Sequence, residues 1–177
     1  MNDLAQNTYL DVRNPTQPKG DMVLTCDDIG EGSTLSNDYV ANIWGYKGGN
    51  ISPNLKWQNA PKNTQSFVLT MYDPDAPTGS GFWHWNVFNI PAEWSELPKG
   101  KSNDFGNGII ELKNDAGLDG FMGAFPPKGD KPHRYIFTLY ALNQKLDLDN
   151  NISPAVLGFN LNGKVLATAS LTAYYSW

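Results

Sequence analysis

The chain contains two histidines, and each lies in a short segment dense with aromatics and prolines: Phe82-Trp83-His84-Trp85 and Pro132-His133-Arg134-Tyr135. A third segment of the same character, Asp73-Pro74-Asp75-Ala76-Pro77, precedes the first. Imidazole changes charge near neutrality, so spending both histidines in this way points to a site. Each histidine alone is equally the kind of residue that sits satisfied in a core or at a sheet edge. Three chemistries fit two imidazoles, two carboxylates and a phenol. An anion pocket would use imidazole N–H groups, the Tyr135 hydroxyl and loop amides as donors to phosphate-type oxygens, with carboxylates orienting the rings. Affinity in such a pocket should rise as pH falls toward about 6, because carboxylates repel the anion unless the imidazoles are protonated or a carboxyl shares a proton. A 2-His-carboxylate metal site is the second reading, but no tight HxH or HExxH pairing supports it. A hydrolase with a histidine base is the third. No GxSxG elbow or Cys-His pairing supplies its nucleophile, and Ser80 in Thr78-Gly79-Ser80-Gly81 reads as a turn residue.

These residues must be positioned by strands. Ser66 to Tyr72 is apolar on both faces, as a central strand would be, and stops at Asp73-Pro74, where proline cannot extend a ladder. Phe82 to Ile90 and Arg134 to Leu142 read the same way, and Met22 to Thr25 and Lys164 to Tyr174 are weaker strands. Side chains alternate along a strand, which puts His133, Tyr135, Phe137 and Leu139 on one face. The same rule groups His84 with Phe82, Asn86 and Phe88, and turns Trp83 and Trp85 the other way. If the three main strands are neighbours, the carboxylates, imidazoles and phenol converge at one rim of a sheet. Pro154 to Asn162 is the main helix, with Ser153 as N-cap, Pro154 in the first position and Gly163 after the end. Strands outnumber helices, so the expected class is mainly β, two packed sheets with peripheral helices.

The remaining composition narrows the function classes. A length of 177 residues predicts a single domain spanning 1–177, with polar residues 1–20 as a loosely docked arm. Acidic residues exceed Lys plus Arg by 18 to 13, giving a net charge of -5, so nucleic acid is not an expected partner. No apolar run reaches membrane-spanning length. The single cysteine, Cys26, excludes an intramolecular disulfide and a thiolate-rich metal site. The first residues lack the basic and apolar regions of a signal peptide, which suggests a cytoplasmic protein; a leader already removed would make it periplasmic. Two long connections, Gly30 to Asn63 and Pro91 to Lys131, are either functional loops or meanders with short strands of their own.

Several of these motifs together resemble the phosphatidylethanolamine-binding protein family. Its bacterial, Raf-kinase-inhibitor-like branch is similar to Asp73-Pro74-Asp75-Ala76-Pro77, to Phe82-Trp83-His84-Trp85 with Phe88-Asn89-Ile90-Pro91, and to the run from Pro126 to Tyr135. Gly49-Asn50-Ile51-Ser52-Pro53 with Trp57 looks like that branch's early motif, and Ala167, Ser170, Leu171, Thr172 and Tyr174 like its closing strand. The resemblance runs in order over residues 20 to 175. It implies a large antiparallel sheet packed on a smaller one, peripheral helices, and a pocket at one end for phosphate or phosphorylated head groups. By matched motif positions Asp73, Asp75, His84, His133 and Tyr135 would line that pocket, with Pro126 and Pro127 in its wall. It further implies a binder rather than an enzyme, with no cofactor or metal, as a monomer or homodimer. A module that inhibits a kinase or protease is the alternative, and a phosphoester hydrolase the third. The chain departs from the branch at Phe125, where a small residue or cysteine is frequent, which bears on the size of ligand admitted.

Overall fold

The structure is a computed structural model describing residues 19–177, so of the proposed arm only Lys19 and Gly20 can be placed. Lys19 pairs with Thr168 at the edge of the larger sheet. The strands are β1 (Val23–Cys26), β2 (Leu55–Gln58), β3 (Ser66–Asp73), β4 (Phe82–Pro91), β5 (Glu96–Leu97), β6 (Ile110–Glu111), β7 (His133–Leu142) and β8 (Val165–Tyr175). A five-stranded sheet has the order β6-β4-β3-β7-β8, and a three-stranded sheet the order β1-β2-β5. All these neighbours pair antiparallel. The two-layer, mainly β architecture expected from the sequence is the one formed.

The three strands expected to carry the site are indeed adjacent, with β3 between β4 and β7. They are buried on both faces because the large sheet is covered on both sides. The core between the sheets gathers Leu24 and Trp57 from the small sheet with Met71, Trp85, Phe137 and Leu171 from the large one. The opposite face, with Val68, Phe88 and Tyr140, is covered by Leu157 and Leu161 of α1 (Pro154–Leu161). These two leucines lie four apart, on one helix face, and burying each contributes about 1.5–3 kcal/mol. The helix begins as its sequence requires: Ser153 Oγ accepts the Val156 N–H at 3.2 Å and Pro154 takes the first turn. It ends at Leu161, one residue short of the expected Asn162, with Gly163 beyond it at φ 76°. Among the described residues it is the one α-helix, accompanied by a 3-10 turn at Asn37–Tyr39.

Both long connections prove to be meanders with strands of their own. The first contains β2 and the 3-10 turn, the second β5 and β6. They also meet each other: Val40 bridges Ala124 in parallel, with Ala41 N–H to Ala124 O at 2.9 Å and Ala124 N–H to Tyr39 O at 2.9 Å. This pairing carries residues 122–127 to the end of the large sheet where β3 stops and β4 and β7 start.

One feature of β4 departs from strict alternation. Met71 faces Trp85 and Tyr72 faces Trp83, which leaves His84 as an extra residue on β4. Such a bulge turns adjacent side chains to the same side. Trp85 therefore enters the core between the sheets, beside Phe121, and does not share a face with Trp83 as alternation predicted. Trp83 lies against Tyr72 with ring centroids 4.2 Å apart. Downstream of the bulge Phe88 belongs to the helix-covered side, although alternation had grouped it with His84.

Candidate functional site

The turn after β3 is built by its own side chain. Asp73 Oδ1 accepts the N–H groups of Asp75 at 2.8 Å and Ala76 at 3.1 Å, while Pro74 restricts the backbone between them. The other oxygen, Oδ2, accepts from His133 Nδ1 at 2.8 Å, across the pairing of β3 with β7. Both side chains are almost wholly buried. On its opposite nitrogen, Nε2, His133 meets Asp130 Oδ2 at 3.1 Å. A ring with a carboxylate on each nitrogen satisfies both only as the doubly protonated imidazolium. Burial pushes the His133 pKa down, but hydrogen bonds and charges from Asp73 and Asp130 outweigh it and hold the group above its ordinary value. Burial likewise lifts the Asp73 carboxyl, against the pull of His133 and the Asp75 amide. The two titrate as a unit, and the N–H donors converging on Asp73 mark the carboxylate–imidazolium form.

His84 has the contrary environment. It is fully buried, and Nδ1 donates to the carbonyl of Met122 at 2.9 Å. Desolvation pushes its pKa down to about 4, so the ring is neutral at physiological pH and Nε2 is a hydrogen-bond acceptor. The two imidazoles are thus pushed in opposite directions, His84 down and His133 up.

Asp73, His84 and His133, with Thr78, line a cavity of about 210 Å³. Its remaining wall is apolar: Ala76, Pro77, Phe82, Phe125 and Pro127. The volume lies below the roughly 300–1,000 Å³ of pockets that take drug-sized ligands, so a small chemical group is the matching occupant. The Thr78 hydroxyl donates to the Gly81 carbonyl, leaving no hydroxyl paired with a histidine among the lining residues.

This histidine–aspartate cavity sits at the end of a two-sheet sandwich, and the sequence profile of the phosphatidylethanolamine-binding protein family matches residues 24–176. The chain belongs to that family. YbhB of Escherichia coli (strain K12) is 46% identical over 159 residues, covering 88% of this chain and 100% of that protein. The crystal structure of E. coli YbcL, described as a new member of the mammalian family, superposes with a TM-score of 0.85 at 44% identity, over 88% of this chain and 98% of that one. A Chlamydia trachomatis homologue follows at a TM-score of 0.77 and 29% identity, over 89% and 99% of the two chains.

Within this family member, the residues implied by the resemblance divide into two groups. Asp73, His84, His133 and Pro127 border the cavity together. Asp75 does not: Arg134 takes it by Nε at 2.9 Å, Nη2 at 3.0 Å and its own backbone N–H at 2.9 Å. That guanidinium holds the Asp75 pKa down to about 2, and the bidentate pair ties the turn after β3 to the start of β7. Asp75 is therefore a positioning residue. Tyr135 also falls outside the lining, fully buried with its ring edge-on to His84 at 5.2 Å and its hydroxyl without a hydrogen-bond partner among the described residues. Pro126 is buried behind the wall, its carbonyl accepting the Tyr46 hydroxyl. Of the aromatics of β4, Phe82 lines the cavity while Trp83 and Trp85 do not.

Phe125 and Asp130 are the additions. Phe125 packs edge-on against Phe82 at 4.8 Å and Trp44 at 5.3 Å, and lies 5.3 Å from His84. It is a wall of the cavity, as its departure from the branch had foreshadowed. Phe125→Ala should enlarge the cavity and raise affinity for phenyl phosphate relative to inorganic phosphate. Because Phe125 is only half-buried, the stability loss should stay below the roughly 3–5 kcal/mol of a fully buried Phe→Ala change. Parallel titrations with the two probes test this; an unchanged ratio would remove Phe125 as a determinant of ligand size. Asp130 lies inside Lys128-Gly129-Asp130-Lys131, a polar turn whose composition does not single it out. The available signal was an acidic residue three before a histidine, across a glycine turn.

Proposed function

We propose that the cavity binds a small anionic group of the phosphate type, and that the protein acts through this binding without turning the ligand over. The observation that carries the reading is the buried His133 ring at the cavity's edge, with a carboxylate against each of its nitrogens, an environment that favours its charged form. An N–H donor of this kind makes a charge-assisted bond to an oxyanion, and apolar walls strengthen it by excluding water. The neutral His84 adds an acceptor, which suits a protonated phosphate oxygen. The family's description as a phosphatidylethanolamine-binding protein agrees with a phosphate-bearing head group as one source of such a ligand. For the binder reading against the hydrolase, the support is the engagement of Thr78 with Gly81, away from either histidine.

Inorganic phosphate titrated at pH 6 should shift the ring resonances of both His84 and His133 at millimolar concentration. Absence of any shift would sink the proposal. The sign of the pH dependence is set by His133. Its charge is present below its raised pKa and lost above it, so affinity should weaken as pH climbs through that value. His84, charged only near pH 4, should add nothing across the neutral range.

A further inference from the structure

His133 has one N–H to give a ligand, because Nδ1 is spent on Asp73; the other, on Nε2, is held by Asp130 at 3.1 Å. Asp130 lies on a turn closed by its N–H to the Pro127 carbonyl at 3.2 Å, with Gly129 at φ 88°. Its side chain is 40% exposed, against 2% for His133. The partner on Nε2 is thus far more exposed than the ring it holds, and it belongs to a turn rather than to a strand.

We infer that Asp130 is a resident stand-in for the ligand's anionic group, which the ligand must displace, and that this exchange selects singly charged oxyanions over doubly charged ones. The inference rests on the anion-binding reading above. The charged groups facing His133 are Asp73 from the end of β3 and Asp130 from the turn before β7. His84 on β4 is neutral, and Arg134 is neutralised by Asp75. Asp73, His133 and Asp130 together sum to one negative charge. A monoanion that replaces Asp130 at Nε2 leaves the charge around the imidazolium unchanged. A dianion in the same place puts one more negative charge beside Asp73, and the displaced Asp130 carboxylate, held on its turn in either case, repels it more strongly than a monoanion. Sharing the N–H between Asp130 and a ligand would set two anions side by side, which is costly away from bulk water.

The test compares dimethyl phosphate, a monoanion, with methyl phosphate, whose second ionisation near pH 6 makes it mainly a dianion at pH 7.5. Affinities are read from the histidine resonances in the wild-type protein, Asp130→Asn and Asp130→Glu. The wild type should prefer the diester. Asp130→Asn should shift that preference toward the monoester by about tenfold, the size of one like charge removed at short range. Asp130→Glu, which keeps the carboxylate, should retain the wild-type ratio. Equal ratios in the wild type and Asp130→Asn, with both probes binding, would overturn this inference and leave the anion-binding reading standing. If neither probe moves either histidine in any of the proteins, the anion-binding reading itself fails and this one falls with it.

Discussion

Asp73→Ala is expected to destabilise the protein by roughly 3–5 kcal/mol, the range found when one partner of a buried ion pair is removed. The change removes the buried partner of a ring that is itself almost wholly buried, leaving it only the more exposed Asp130. It also deprives the Asp75 and Ala76 amides of their acceptor, so the turn after β3 loses its cap. The deficit should depend on pH. His133 carries a raised pKa in the folded protein, so its contribution is full below about 6.5, its unfolded value, and lost as pH rises through the folded value. Urea unfolding of the wild type and the variant at pH 5.5 and pH 8.5 should therefore show the larger difference at the lower pH. A loss under 1 kcal/mol at both, or a larger loss at pH 8.5, would contradict the ion-pair account.

Gly123→Ala is the second large effect, and it acts on the cavity from behind. A Cβ at Gly123 would lie 2.5 Å from the Tyr39 carbonyl oxygen and 2.5 Å from the Val40 carbonyl carbon, both backbone atoms. Gly48 approaches the same residue from elsewhere, its Cβ falling 2.1 Å from the Val40 oxygen. Backbone cannot yield as a side-chain tip does, so the variant must separate residues 39–41 from 122–124. The pairing of Val40 with Ala124 would then break, and with it the support for Phe125 and Pro127. The expected cost is about 3 kcal/mol, the upper end for overpacking, together with weaker phosphate binding. Gly30→Ala is the control. Its nearest neighbour is Ser33 Cβ at 4.0 Å, so it should change stability by less than about 1 kcal/mol. Similar unfolding midpoints for the two variants would show that the close approach is not what Gly123 provides.

Both effects trace to how residues far apart in sequence are brought together, and the same division runs through the whole molecule. The apolar runs of β3, β4 and β7 were legible because each is long and bounded by proline or glycine, and α1 because Ser153, Pro154 and Gly163 mark its ends chemically. The pairing of His133 with Tyr135 on one face followed from strand geometry. The short strands β2, β5 and β6 were not read as strands, since two to four residues leave too little periodicity to register. Leu55-Lys56-Trp57-Gln58 alone alternates between buried and more exposed positions, a faint signal inside a polar loop.

Within the site, local sequence supplied the residue types and put His84, His133 and Asp73 at the ends of strands. The role of each was set by what folding packed around it. The bulge at His84 is a property of β4 against β3, not of β4, and it redirected Trp85 and Phe88. Asp73 and Asp75 are chemically alike and two residues apart, yet one meets a buried imidazole and the other a half-exposed guanidinium. Their partners stand 60 and 59 residues away. Local sequence fixes backbone propensity and the face a side chain takes; ionisation, pairing and access depend on neighbours that folding supplies. That is why two similar histidines end as opposites, a neutral acceptor at His84 and a charged donor at His133.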